Sequence, residues 1–376
     1  MSARTIVLAA GGTGGHMFPA EALARELLAR GFTVALVTDR RGQAFGDKAP
    51  DVAVHRIRAG RLDAGFVHKI TALADIALGT IEAGRLLRAL APAAAVGFGG
   101  YPSVPTMLAA ARQGIPTLLH EQNAILGRAN RLLAPRVGAI ATSFAVVGGV
   151  RLARQGRVVE TGNPVRPAIV AARGTRYAAP APGQPIQLLV MGGSQGARIL
   201  SAVVPAALAR LAPELRRRLV VTQQARSEDL AVLRRALDEA GITAETASFF
   251  DDVPARLMRA QLVISRAGAS SVAELTAVGR PAILVPYRYA ADDHQSANAR
   301  ALEASGAAWV MAEAQFSPEH LAAEVAALLQ APERLAAAAA AAQKMGRPDA
   351  ASRLADLVAE AAGGSNGHAL PREHAA

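Results

Sequence analysis

Thr5-Ile6-Val7-Leu8-Ala9-Ala10-Gly11-Gly12-Thr13-Gly14-Gly15-His16 and Ile186-Gln187-Leu188-Leu189-Val190-Met191-Gly192-Gly193-Ser194-Gln195-Gly196-Ala197 are the same device written twice. An apolar, β-rich run ends in a turn crowded with glycine, and a helical stretch follows. There the helix's first N–H groups lack intrahelical partners and its dipole is positive, so the turn suits an anion. Two such openings in 376 residues predict two Rossmann-like parallel-sheet α/β domains facing a ligand cleft.

The pattern between them agrees. Strands are expected to begin near Thr5, Thr33, Val52, Ala94, Pro116 and Ala139, then near Ile186, Leu219, Thr243, Leu262, Ala282 and Ala308, with Ala/Leu/Arg-rich helical stretches between. Residues 173–184, rich in Pro, Ala and Gly, read as linker. The expected division is 1–165 for an N-terminal domain and 166–343 for a C-terminal one. Residues 344–362 form a helix returning to the first domain, and 363–376 a disordered tail.

Composition narrows the function. The chain has no cysteine, which excludes disulfides, thiolate nucleophiles and Cys-based zinc sites and suits a reducing compartment. Its 41 Lys and Arg against 30 Asp and Glu give a net charge of +11, which attracts anions. Aromatics are only 4% and no nucleic-acid motif occurs, so phosphorylated small molecules and an anionic membrane surface are favoured over nucleic acid. The apolar run after Arg4 is too short for a secretory signal. The uncharged stretch Ala89 to Ala111 is broken by Pro92, Pro102 and Pro105, which argues against a membrane span.

Asp39 with Arg40 and Arg41 would suit an NADP-binding half, but the third glycine of that fingerprint falls on Met17. His16, at a helix start beside a phosphate turn, is either a packing residue or a general base, because a helix N-terminus disfavours imidazolium. His120-Glu121-Gln122-Asn123 follows the strand Pro116 to Leu119, where open α/β sheets bind ligands; the plain alternative is a polar loop. Gly162-Asn163-Pro164-Val165-Arg166 is a turn near the domain junction carrying a cation for a phosphate or a base. Ser265 to Ser271 follows another strand, and Ser271-x-x-Glu274 is either a capping box or a ribose-binding acid. Asp292-Asp293-His294-Gln295 and Asn298 offer groups suited to sugar hydroxyls. No Asp-x-Asp occurs, so if a nucleotide diphosphate leaves, backbone amides, a helix dipole and arginine must stabilise it, without a metal.

These ordered segments, over about Thr5 to Asn298, resemble the MurG family of bacterial glycosyltransferases, which add N-acetylglucosamine to the undecaprenyl-pyrophosphoryl-muramyl-pentapeptide of peptidoglycan synthesis. The resemblance implies a GT-B architecture, no cofactor, and inverting, metal-independent transfer from UDP-N-acetylglucosamine. It implies His16 as the base acting on the muramyl C4 hydroxyl. The second domain holds most of the donor. Ser194 meets the diphosphate, Arg166 lies near the nucleotide, and the Phe250 backbone meets the uracil. Glu274 binds the ribose, Ala269, Ser270, Ser271, Val272 and Ala273 line the donor site, and Asn123 and Gln295 read sugar hydroxyls. Thr13, Gly14 and Gly15 face the cleft and the acceptor diphosphate. Some relatives carry paired glutamines where this chain has His294-Gln295.

A lipid-linked acceptor implies peripheral attachment to the inner face of the cytoplasmic membrane. The candidate surface is Phe66 to Leu90, with Ile70, Leu73, Ala77, Ile81 and Leu86 beside Lys69, Arg85 and Arg88; the plain alternative is a core helix. The competing classes are an enzyme of the same architecture using the same donor differently, such as an epimerase or a glycolipid synthase, and a nucleotide-binding module without turnover.

Overall fold

The computed structural model describes residues 4–11, 14–39, 51–60, 66–150, 156–193 and 196–363, with side chains at 66–70, 72 and 73 left out. The expected tail, beyond Gly363, lies outside the described residues. The chain divides into two compact units.

The first unit contains β1 (Thr5–Ala9), α1 (Gly14–Ala29), β2 (Thr33–Thr38), β3 (Ala53–Arg56), α2 (Phe66–Leu90), β4 (Ala94–Gly97), α3 (Ser103–Arg112), β5 (Thr117–Glu121), α4 (Arg128–Leu133), β6 (Ala139–Thr142) and β7 (Arg157–Glu160). Its seven strands are all parallel, in the order β3-β2-β1-β4-β5-β6-β7. Buried on both faces, β1, β4 and β6 read as runs of small and aliphatic residues, whereas β5 ends in buried His120 and Glu121. One core joins Leu8, Leu23, Leu36 and Val96; the other joins Val7, Val37, Leu119 and Ile140. The sequence reading missed β7. It is a four-residue edge strand whose Arg157 and Val158 are exposed, so it carries no apolar signature.

The second unit contains α5 (Pro167–Ala172), β8 (Ile186–Met191), α6 (Arg198–Leu208), α7 (Pro213–Arg216), β9 (Leu219–Gln224), α8 (Leu230–Glu239), β10 (Thr243–Ala247), α9 (Val253–Arg259), β11 (Leu262–Ser265), α10 (Ala269–Val278), β12 (Ala282–Leu284), α11 (His294–Ala304), β13 (Ala308–Val310), α12 (Pro318–Gln330) and α13 (Pro332–Met345). Its six parallel strands run β10-β9-β8-β11-β12-β13, the same winding as the first sheet. In both sheets the order reverses beside the strand that feeds a glycine turn, which is where doubly wound folds bind ligands.

The last helix, α14 (Ala350–Ala361), belongs to the first unit. It buries Leu354, Leu357 and Val358 against the core around α1, worth roughly 1.5–3 kcal/mol per side chain. Arg30, in the turn just after α1, clamps it by donating to Asp356 at 2.5 Å and to Ser352 Oγ at 2.7 Å. Among the described residues no helix is long and apolar enough to cross a membrane.

Candidate active site

In the first unit the site collects at the C-terminal ends of β1, β4 and β5. Gly14, Gly15 and His16 form the first turn of α1; Thr13 lies outside the described residues. Phe98 follows β4 and leads into Gly99 and Gly100, both left-handed at φ +83° and +72°. A Cβ at Gly100 would stand 3.1 Å from the Gly11 carbonyl oxygen and 3.4 Å from His16 Cδ2, so this corner needs two glycines.

The cluster read at the end of β5 splits by the strand's period of two. Glu121 turns one way, accepting from the Gly127 N–H at 2.8 Å and Asn130 Nδ2 at 2.9 Å. His120 and Gln122 turn the other way. His120 is fully buried, and its Nε2 donates to the Gly162 carbonyl at 3.0 Å. Burial above all, with a smaller contribution from the neighbouring His16, pushes its imidazole down to about 4, so it is neutral at physiological pH. Gln122 Oε1 lies 3.0 Å from His16 Nδ1. Sequence reasoning ended the strand at Leu119 and left His120 and Gln122 between a ligand-binding strand end and a polar loop; the alternation of side chains along β5 was the signal that pairs them.

In the second unit Gly192 follows β8. A Cβ there would come within 2.5 Å of the Ala197 N–H nitrogen, and Gly193 and Gly196 are left-handed at φ +80° and +67°. The turn is tight enough that α6 begins without any side-chain cap, leaving its first N–H groups to a ligand. Ser194 lies outside the described residues.

The segment from Ala269 to Ala273 is the start of α10, capped by Gly268. Ser271 is therefore inside the helix, and the capping-box reading fails. Glu274 reaches Arg166, whose Nε and Nη2 both donate to the same carboxylate oxygen, Oε1, at 3.1 and 2.8 Å. Burial holds the Glu274 carboxyl above the ordinary glutamate range, against the pull of Arg166. Val272 is buried, its N–H donating to the Gly268 carbonyl at 3.0 Å, whereas the Ser270 hydroxyl is buried without a protein partner.

Phe250 is buried beneath the Arg256 guanidinium, 4.0 Å from its ring centre, so only its backbone is left for recognition. Glu245 and Asp252 hold Arg256, and its hydrogen bonds keep both carboxyls below their usual range. Asn123 is brought to α11, where its Oδ1 accepts from Asn298 Nδ2 at 3.1 Å. Fully buried Asn298 also accepts from the Ala124 N–H at 2.8 Å and donates to the Ala267 carbonyl at 3.0 Å. One turn earlier, Gln295 Oε1 accepts from the Tyr287 N–H at 2.9 Å, which leaves its amide N–H groups as donors. Arg266, not singled out in the sequence, pairs with Glu313 at 2.6 Å, both 10% exposed, and donates to the Val285 carbonyl. It thereby ties the end of β11 to the segment after β12. Among the described residues no three His, Cys, Asp or Glu side chains gather as metal ligands.

The chain matches the sequence profile of the Glycosyltransferase family 28 N-terminal domain over residues 6–142 and of the Glycosyltransferase family 28 C-terminal domain over 187–354. It is 56% identical to a UDP-N-acetylglucosamine--N-acetylmuramyl-(pentapeptide) pyrophosphoryl-undecaprenol N-acetylglucosamine transferase of Rhodospirillum centenum, covering 99% of this chain and 98% of that relative. The protein of the same name from Paramagnetospirillum magneticum is 56% identical, covering 94% and 95% of the two chains. Among solved structures, Acinetobacter baumannii MurG superposes with a TM-score of 0.77 at 30% identity, over 95% of this chain and 99% of that one. The calicheamicin glycosyltransferase CalG4 shares the fold, with a TM-score of 0.64 at 20% identity over 96% and 99% of the chains. Two sheets wound alike, with a glycine turn at each reversal, are thus a GT-B glycosyltransferase, and the chain belongs to the family 28, MurG-type N-acetylglucosamine transferases.

Proposed function

We propose that this chain transfers N-acetylglucosamine, with inversion and without a metal, from UDP-N-acetylglucosamine to the C4 hydroxyl of undecaprenyl-pyrophosphoryl-N-acetylmuramyl-pentapeptide, the step that completes the lipid-linked disaccharide of peptidoglycan. Identity of 56% over 99% of the chain to a relative named for that transfer carries the reading.

The site geometry supplies roles. His16 Nε2 takes the acceptor proton as the C4 oxygen forms a bond to the anomeric carbon. The bond from that carbon to the diphosphate breaks, and its electron pair leaves with UDP. The N-termini of α6 and α10, with the Ser194 turn and Ser270, meet the diphosphate charge. Glu274 accepts from the ribose hydroxyls through Oε2, since Arg166 occupies Oε1. Phe250 offers its backbone to the uracil, and Asn123 and Gln295 donate to the sugar hydroxyls. Gly14 and Gly15, with Thr13, contribute backbone N–H groups to bound phosphate.

The lipid acceptor calls for peripheral contact with the inner face of the cytoplasmic membrane. On α2, Leu78 and Ile81 are 43% and 53% exposed, and exposed Arg85 and Arg88 continue the same face at helical spacing. This corrects the face expected from sequence: Leu86 turns toward the core, and Leu78 takes its place outside. Lys69, Ile70 and Leu73 lie outside the described side chains.

Purified protein incubated with UDP-N-acetylglucosamine and the lipid-linked muramyl acceptor, with excess EDTA, is expected to release UDP only when acceptor is present and to form the disaccharide lipid. UDP binding with no product refutes the proposal in favour of a binding module, and epimerised donor without transfer refutes it in favour of an epimerase.

A further inference from the structure

Three acceptors surround one end of the Gln122 side chain: the Phe98 carbonyl, the His120 carbonyl and His120 Nδ1, each 3.0 Å from Nε2. Two of these are carbonyl oxygens, which only accept. An amide oxygen at that position would face both lone-pair sets at contact distance, so the –NH₂ must lie there and Oε1 must face His16. A carbonyl oxygen opposite His16 Nδ1 compels that nitrogen to carry the proton.

The same reasoning orders the rest of the chain. Because the Gly162 carbonyl faces His120 Nε2, the proton of neutral His120 is on Nε2 and its Nδ1 accepts. The series then reads in one direction: His16 Nδ1–H to Gln122 Oε1, Gln122 Nε2–H to His120 Nδ1, His120 Nε2–H to the Gly162 oxygen. Each link holds the next, and Gln122 is only 1% exposed, so water does not compete for its amide. On the other edge of His16, the two carbons flanking Nε2 look onto Gly99 and Gly100. A Cβ at those positions would stand 3.5 Å from Cε1 and 3.4 Å from Cδ2. Two glycines thus stand beside the edge of the ring that carries Nε2.

We propose that Gln122 is a positioning residue for the transfer: its amide, itself held by His120 and two carbonyls, fixes His16 as the Nδ1–H tautomer and leaves the lone pair on Nε2 as the proton acceptor. An isolated neutral imidazole prefers its proton on Nε2, the form in which that atom is no base, so the alignment has to be imposed. The inference rests on His16 acting as the base, but the tautomer is a separate observable.

In the wild-type protein, with nitrogen-15 in its histidines and at a pH where both rings are neutral, NMR should find His16 and His120 in opposite tautomers. His16 is expected as Nδ1–H and His120 as Nε2–H; a His16 ring protonated on Nε2 overturns the proposal without any variant. In Gln122→Met, which keeps length and removes both amide functions, kcat should fall ~10–100-fold with KM for UDP-N-acetylglucosamine within about twofold, and the His16 ring should shift toward Nε2–H. A folded Gln122→Met protein with undiminished kcat, or one impaired only in KM, contradicts it. Full turnover in His16→Ala removes the base and with it the catalytic meaning of the relay, even if the measured tautomers stand; the two failures are thereby told apart.

Discussion

Glu274 and His120 show how burial assigns work to single residues. The Nε–H and an Nη2–H of Arg166 fall on Glu274 Oε1, so the proposed ribose contact falls to the second carboxylate oxygen. Glu274→Gln is expected to weaken UDP binding by ~10-fold or more, the scale of a hydrogen bond to a charged group, while affinity for a 2′,3′-dideoxy analogue stays the same; calorimetry on both ligands checks it. Because burial raises the folded carboxyl, its ionised form opposes folding, and stability falls as pH rises through that raised value. The Gln variant lacks this loss. His120 behaves oppositely. Its folded value of about 4 lies below the ordinary histidine value of about 6.5, so the unfolded chain takes up the proton first. Stability is fully present above about 6.5, declines as pH falls toward about 4, and loses about 3 kcal/mol in all. In His120→Asn, denaturant titrations across that window should show a slope smaller by one proton; an unchanged slope would mean His120 is not the group.

At the scale of elements, the alternation of apolar runs and helical stretches placed the starts of twelve of the thirteen described strands to within a residue, most readily where a parallel strand is covered on both faces, as in β1, β4 and β12. β7 escaped for the converse reason, being short and exposed. The site was legible as a set of segments at strand ends. Its internal order was not. Ser271 and Glu274 fit a cap by spacing alone, and only the start of α10 at Ala269 separates the two readings. Nor does spacing disclose that Asn298 holds Asn123, since the two are far apart in the chain. On α2 the helical period placed Ile81, Arg85 and Arg88 on one face, but not Leu78, whose exposure depends on which side α3 covers. Gly79 marks that buried side, where a Cβ would collide with the Arg58 carbonyl. Replacing Leu78 and Ile81 by Ser and Arg85 and Arg88 by Glu should abolish flotation with anionic liposomes while leaving the UDP dissociation constant unchanged. Undiminished flotation would rule this face out as the membrane contact.

Across the whole molecule, one winding is used twice and each copy does different work. Both sheets reverse order beside a glycine turn, yet the first turn leads into His16 and the relay behind it, while the proposed donor-binding groups belong to the second unit. A net charge of +11 suits a protein whose donor and acceptor are both anionic. In the proposed mechanism backbone amides, helix dipoles and Arg166 take the place of a divalent ion, and proton transfer falls to one imidazole. Single-turnover transfer by His16→Ala, with donor affinity measured alongside, tests that division most directly. The account predicts a rate lower by ~10²–10⁴-fold with the UDP-N-acetylglucosamine dissociation constant within about twofold of wild type; a wild-type transfer rate in that variant would contradict it.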